Sequence, residues 1–370
     1  MNYTKPQRRP DISVYLPNLN GGGAEHFIVR LTNAFAEDGF QVDIICADRD
    51  GTAAGLLDTR IRTICFYKSG VLRSLFPLIR YLRKERPVVL LSTLVHANII
   101  AILASVAARK DVRVYVREAT TASIEKRFSK DIRSNVVAGL RRWLYPLASG
   151  VIANSKGVAK DLISHSNLER RKIFIISNGL NVDLALEKSR EPVDHAFFNR
   201  KTIPVIVSVG RLSVEKDFST LILAFKKVLL SREAHLLILG EGSLRRELEG
   251  LIRRLGLEGR ADLPGFVHNP YKYVCRSEVF VLSSLYEGFP NSLLEAMVVG
   301  TPVVATDCQS GPREILEDGR YGALVRLGDV DEMAQAILAA LDDRLAKPSL
   351  THLRDLYSID HIARRYEQIL

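Results

Sequence analysis

A chain of 370 residues is too long for one ordinary core, so two domains are expected. Its 47% hydrophobic and 25% charged residues describe a soluble globular protein, and its four cysteines have neither metal-ligand nor redox spacing, so they read as small buried hydrophobes in a reducing compartment. The net charge of +10 is uneven: residues 1–190 hold 30 Lys and Arg against 17 Asp and Glu, and the remainder 22 against 25. A basic first half calls for phosphates, nucleic acid or an anionic membrane surface, or serves only solubility.

The start, MNYTKPQRRPD, lacks the apolar core of a signal peptide. The first strand, ISVYLP (12–17), runs into LPNLNGGGAEHF, where Gly21, Gly22 and Gly23 let the backbone approach a ligand before a helix opens near Ala24. A dinucleotide fingerprint needs Gly or Ala where His26 stands; only Asp48, after the second strand, imitates its ribose-binding acid. A glycine-rich turn without a ligand is the plainer alternative.

Strands VDIICA (42–47) and RTICFY (62–67) follow, then VLRSLFPLIRYLRKER (71–86), with an apolar stripe of Leu72, Leu75, Phe76, Ile79 and Leu82. Val88–Ala108 is almost long enough to span a bilayer, but divides into a buried strand, VVLLST, and a core helix after His96. VRVYVRE (112–118) precedes a second basic helical pattern (126–148) with Ile132, Val136, Leu140, Trp143, Leu144 and Leu147. Both stripes are expected to pack on a sheet, leaving the arginines and the tryptophan for anionic headgroups. VIANS (151–155) and IFIISN (173–178) complete the half, and the polar segment 187–202 looks like a linker.

The second half repeats the alternation, with strands at 204–210, 235–240, 279–284, 302–307 and 322–326. Continuous apolar runs alternating with helices mean parallel sheets buried on both faces. The class is α/β: two doubly wound Rossmann-like domains, whose ligands bind beyond the carboxyl ends of the strands. Gly210-Arg211 and Lys216 follow the 204–210 strand, a pair of cations suited to a diphosphate or merely surface charge before a helix. In LILGEGSLRREL, Ser243 is a plausible helix cap.

The most informative stretch is LYEGFPNSLLEAM (285–297). Glu287 follows a strand, Asn291 or Ser292 can cap a helix, and Glu295 lies one turn inside. Ser292-x-x-Glu295 also reads as a capping box with Glu287 a solvated acid, but that leaves the Gly288-Phe289-Pro290 turn without a purpose. A nucleotide-sugar site uses every residue: helix N–H groups for phosphate, one carboxylate for ribose, one for sugar hydroxyls.

At these residues the chain resembles the retaining glycosyltransferases of family four, with the GT-B fold of two domains facing a central cleft. The family's E-x7-E element reads Glu287 to Glu295, its Gly-Arg and Lys read Gly210-Arg211 and Lys216, its glycine loop reads Gly21–Gly23, and SNGLNVD (177–183) matches its Asn-Gly-x-x-x-Asp segment. TDCQSGPREILEDGRYGALV resembles bacterial members that build cell-surface glycans, often from UDP-N-acetylhexosamines.

The resemblance implies domains at 1–190 (acceptor) and 191–350 (donor), with a C-terminal helix, 351–370, that packs on either domain, the first preferred. It implies that Arg211 and Lys216 neutralise the leaving diphosphate, Glu295 holds the ribose, and Glu287 contacts the sugar with amides of Gly288, Phe289, Pro290 and Asn291 nearby. Ser292 shares that helix start, Phe266 and Val267 lie where the base is held, and Gly22 and Gly23 close on the donor from the other domain. His96, at a strand end, would face the cleft or be a satisfied core histidine. Many relatives carry a histidine where this chain has Arg117-Glu118, so Glu118 takes an acceptor-side or sugar-positioning role.

The implied reaction is retaining transfer of a hexose or N-acetylhexosamine from a UDP-sugar to a lipid-linked or growing cell-surface glycan. The nucleotide-sugar is a co-substrate, and no further cofactor is expected. Stabilising the diphosphate's charge is the largest expected effect. No essential metal is expected: Asp48-Arg-Asp50 ends a strand and Asp329-Val-Asp331 looks like a helix cap, both away from the diphosphate loops. The implied location is cytoplasmic, peripheral at the inner membrane face. No nucleic-acid partner is expected, because no recognition helix, zinc finger or aromatic RNA-binding motif is present. A nicotinamide-dependent oxidoreductase and a non-catalytic two-lobed sugar-binding protein are the competing classes; His26 opposes the first and the missing export signal the second.

Overall fold

The computed structural model describes residues 9–20, 22–47, 51, 53–66, 71–121, 139–199 and 203–370. Two compact units result: residues 1–180 with 357–370, and residues 181–356.

The first unit holds a seven-stranded sheet in the order β3-β2-β1-β4-β5-β6-β7. The strands are β1 (Ile12–Leu16), β2 (Val42–Cys46), β3 (Arg62–Cys65), β4 (Val89–Thr93), β5 (Arg113–Glu118), β6 (Gly150–Ala153) and β7 (Ile173–Ile175), all paired parallel. Alternate residues point to opposite faces, so β1 sends Ile12, Val14 and Leu16 into one core and Tyr15 into the other. Helix α1 (Gly23–Glu37) covers the first face; α2 (Leu75–Glu85) and α3 (Val95–Ala108) cover the second. The near-membrane-length segment is therefore β4 followed by α3, and among the described residues no helix is long and apolar enough to cross a membrane.

The C-terminal helix Ile359–Glu367 closes the first unit. Leu180 bridges to Ser358, the Leu180 N–H donates to Tyr357 O at 2.9 Å, and Tyr366 packs on Phe27 and Phe35. Gly179 permits this, because a Cβ there would lie 2.8 Å from Ile362 Cγ1 and 3.1 Å from Tyr357 O.

The second unit holds six parallel strands in the order β10-β9-β8-β11-β12-β13. They are β8 (Val205–Val209), β9 (His235–Leu239), β10 (Ala261–Gly265), β11 (Val279–Leu282), β12 (Val303–Thr306) and β13 (Ala323–Val325). The β10 segment, ADLPG, was not expected as a strand: it is short, carries Pro264, shifts register between Asp262 and Gly265, and lies at the sheet edge, where proline is tolerated.

Three expectations need correction. The segment 187–202 is not a separate linker. Helix Val182–Ser189 lies in the second unit; Asn269 donates to Lys188 O at 2.8 Å, Arg276 to Ser189 O at 2.9 Å, and Phe197 stacks on His235 with ring centroids 4.0 Å apart. The first unit thus ends at 180, not 190, and residues 200–202 lie outside the described residues. Second, Ser243 does not cap the helix Arg245–Arg254, whose N-cap is Leu244. Third, Leu72 and Phe76 leave the buried stripe. Leu72 sits in a 3-10 turn (Val71–Ser74), out of phase with the helix that starts at Leu75, and Phe76 lies off the Leu75-Leu78-Ile79-Leu82 face. They are 81% and 79% exposed, while Leu78, Tyr81 and Leu82 are buried. Leu140, Trp143 and Leu147 are exposed too; Ile132 and Val136 lie outside the described residues.

Candidate active site

Because all strands of the second sheet run parallel, their carboxyl ends share one edge, and the polar loops collect there. The loops after β8 and β9 meet backbone to backbone. The Leu212 N–H donates to Glu241 O at 2.9 Å, and a Cβ on Gly240, which has φ +150°, would fall 1.9 Å from Gly210 O. Arg211 emerges from this junction exposed. The chain then makes a 3-10 turn, Val214–Lys216, and enters the helix Phe218–Val228 through Asp217 at φ +43°. Asp217 accepts from the Thr220 N–H and hydroxyl, which holds this uncommon left-handed residue at the helix start.

That turn is tied to the loop after β11. Ser283 Oγ donates to Lys216 O at 2.7 Å, and the Leu285 N–H to Glu215 O at 2.8 Å. The two ties bring together side chains 71 residues apart: Lys216 Nζ donates to Glu287 Oε1 at 2.5 Å. Ser284 Oγ donates to the same oxygen at 2.7 Å. The pair is 18% and 12% exposed, so it is shielded but reachable. Burial pushes the neighbouring Cys308 thiol up to about 12, and the negative charge of Glu287 adds to the shift.

Beyond Glu287 the buried turn Gly288-Phe289-Pro290 leads into the helix Asn291–Val298. Gly311, at φ +95°, lies against its back: a Cβ would meet Pro290 Cδ at 2.3 Å and Phe289 Cα at 3.2 Å. The N-cap is Pro290 and no side chain caps the helix. Asn291 and Ser292 stand inside the first turn, so neither caps it and Ser292-x-x-Glu295 is not a capping box. The carboxylate of Glu295 instead accepts from the Tyr271 hydroxyl at 3.2 Å. Tyr271 follows the loop carrying Phe266 and Val267; Phe266 is exposed, edge-on to His268. Gly210, Arg211, Lys216, Phe266, Val267, Glu287 to Ser292 and Glu295 therefore all line one edge of one unit.

The first-unit residues fall differently. Gly21 lies outside the described residues. Gly22 caps α1 and Gly23 opens it, with Glu25 folded back beside Gly22. β4 ends at Thr93, so His96 is not at a strand end but exposed in the first turn of α3, and is no core histidine. Glu118 is 1% exposed. Its carboxylate accepts from the Tyr145 hydroxyl and lies 3.8 Å from Arg141, which also faces Asp161 at 3.6 Å. Burial and then the charge of Glu118 push the Tyr145 phenol well above its ordinary range. The structure gives this buried carboxylate an arginine to balance.

Arg117 is fully buried as well. It donates to Thr93 Oγ1 at 3.2 Å and to Asn178, and lies over the Phe27 ring at 4.6 Å. The Asn-Gly segment SNGLNVD (177–183) holds the buried Arg117 and the C-terminal helix, with Asn181 capping Val182–Ser189. Sequence reasoning missed Tyr271, Ser284, Cys308 and Gly311. Only Ser284 had a local signal, three residues before Glu287 on the same strand exit.

Among the described residues no group of three or more His, Cys, Asp or Glu could hold a metal ion. Asp329 accepts from the Glu332 N–H as a helix cap; Asp48 and Asp50 lie outside the described residues.

Comparison with known proteins gives a family. Residues 21–184 match the family model described as Glycosyltransferase Family 4, and residues 203–343 the one described as Glycosyl transferases group 1. A Campylobacter jejuni N-acetylgalactosamine-N,N'-diacetylbacillosaminyl-diphospho-undecaprenol 4-alpha-N-acetylgalactosaminyltransferase is 36% identical over 251 residues, 68% of this chain and 66% of that protein. A Rhizobium meliloti lipopolysaccharide core biosynthesis glycosyltransferase, LpsE, is 28% identical over 94% of this chain and 96% of its own length. Among solved structures, Anabaena Alr3699/HepE in complex with UDP-glucose superposes with a TM-score of 0.80 at 19% identity, covering 96% of this chain and 98% of that one, a likeness of fold. The fold is thus the two-domain GT-B class.

Proposed function

This chain belongs to the glycosyltransferases of family four, and from that premise we propose that it transfers a sugar from a UDP-sugar to a lipid-linked glycan of the cell surface, with retention of anomeric configuration. The observation that carries the proposal is the Lys216–Glu287 pair beside Arg211 and the uncapped start of the helix Asn291–Val298. Such an edge offers a diphosphate a guanidinium fork, an ammonium point charge and backbone N–H groups together.

In this reading Glu287 holds the Lys216 ammonium in place until the donor arrives. Charge growing on the departing UDP oxygen is then met by Arg211 and Lys216, and preorganised charge of this kind is usually the largest contribution to a transfer rate. Glu295, held by Tyr271, accepts from the ribose hydroxyls, and Phe266 and Val267 flank the base. The bound sugar carries the electrophilic anomeric carbon; the acceptor hydroxyl attacks the face that UDP leaves, and its proton passes to the diphosphate oxygen. No metal or further cofactor enters. The donor sugar is taken as an N-acetylhexosamine or hexose, and the undecaprenyl-linked substrate named for the Campylobacter relative supports a polyprenyl-diphosphate-linked acceptor.

The test is transfer from UDP-N-acetylgalactosamine, UDP-N-acetylglucosamine and UDP-glucose to a short polyprenyl-diphosphate-linked glycan, with product configuration read by NMR. An α-linked product formed with EDTA present is expected from one of these donors. A β-linked product, or activity that vanishes with EDTA and returns with a divalent ion, would overturn the mechanism.

A further inference from the structure

Sequence spacing gave the cysteines no partners, yet the structure joins two of them. Cys46 ends β2 and Cys65 ends β3, and the parallel register sets them directly opposite each other. Their sulfurs are 2.9 Å apart. Neighbouring strands lie about 4.7–4.9 Å apart, within the roughly 4.4–6.8 Å Cα separation that a disulfide spans. Cys46 is fully buried, while Cys65 is only partly buried on the edge strand. One thiol is thus reachable by a small oxidant and the other is placed behind it.

We propose that Cys46 and Cys65 are a modification site: a thiol pair that peroxide converts to a reversible disulfide. The Cys65 thiolate attacks hydrogen peroxide, giving a sulfenic acid and hydroxide, which leaves as water. The Cys46 thiol then displaces the sulfenic hydroxyl, closing the S–S bond and releasing a second water. Two thiols are oxidised, one peroxide is reduced, and a dithiol reverses the step by exchange.

The bond would act on more than its own strands. The chain leaving Cys46 supports the segment that leads to the Gly22 cap of α1: the Ala47 N–H donates to Pro17 O at 3.1 Å, and the Ala53 N–H to Leu19 O at 3.0 Å. Gly51 presses on Leu19, where a Cβ would lie 2.0 Å from the carbonyl oxygen. Closing the sulfurs to about 2.05 Å fixes the ends of β2 and β3 beneath that contact.

The experiment treats the full chain with hydrogen peroxide, digests it without reductant and reads the peptides by mass spectrometry, with amide exchange on the intact oxidised and reduced forms. The expected result is a Cys46–Cys65 linked peptide lighter by two hydrogens, lost with dithiothreitol, absent in Cys65→Ala and Cys46→Ala, and retained in Cys275→Ser. Exchange at Ala47 and Ala53 should slow several-fold on oxidation. Over-oxidation of Cys65 with Cys46 left as a thiol would overturn the site. A cross-link that leaves Ala47 and Ala53 exchange unchanged would overturn its action on the loop.

Discussion

Lys216 and Glu287 are 18% and 12% exposed, so removing either takes the counter-charge from a partly shielded partner. Lys216→Ala should lower kcat/KM by roughly 10²–10³-fold, the scale for deleting a preorganised charge, while costing only about 1–3 kcal/mol of stability. Steady-state kinetics beside urea unfolding checks both. Glu118 should behave oppositely. Glu118→Ala takes one of two carboxylates from buried Arg141 and the acceptor from the Tyr145 hydroxyl, and is expected to cost about 1–3 kcal/mol, with donor KM unchanged in the protein that still folds. A wild-type melting curve with lost turnover would return Glu118 to the site. Single residues were legible where spacing carries meaning, as in E-x7-E. They were not where burial decides: Arg117-Glu118 and Arg211 look alike as letters, yet the first two are buried and the third exposed.

Elements bring the site together through glycines that admit no side chain. Gly311→Ala pushes a Cβ onto Pro290 at φ +95° and should displace the Gly288–Pro290 turn. The expected result is a UDP dissociation constant raised about tenfold, near 1.4 kcal/mol, by calorimetry; unchanged affinity would mean the turn is not held from behind. The docking of Phe197 on His235 adds a pH dependence. Burial, and then the charge of Arg260, hold the His235 imidazole below its ordinary 6.5. The folded state therefore prefers the neutral ring, and its stability is full above 6.5 and declines as pH falls through that value. Melting followed from pH 7.5 to 5.5 should show this decline, shallower in His235→Phe. Apolar runs announced most strands because both faces of these sheets are buried. β10 stayed hidden since an edge strand can carry proline, and the 187–199 segment looked like a linker because its anchors, Asn269, Arg276 and His235, are distant in sequence.

At the scale of the whole molecule, the basic first half exposes apolar side chains that the helical stripe placed inside. Leu72 and Phe76 project fully beside exposed Arg73 and Arg80, and Trp143 projects beside exposed Arg142. We propose that these exposed apolar side chains, with exposed arginines near them in sequence, meet an anionic bilayer surface. The double variant L72S/F76S should lose flotation with phosphatidylglycerol vesicles while keeping transfer to a short soluble acceptor; undiminished flotation would assign the charge to solubility. The two-domain α/β class was readable from the alternation of strands and helices, whereas the return of residues 357–370 to the first unit depended on Gly179 and Leu180, too local a cue to fix a partner. The most direct test of the proposed nucleotide-sugar site is thermal stabilisation by UDP, GDP, ADP and NAD at matched concentration, in wild type and Lys216→Ala. UDP at a hundred times its dissociation constant should add about 2.7 kcal/mol to the wild type and far less to the variant. Stabilisation by NAD alone, or by UDP equally in both proteins, would contradict the account.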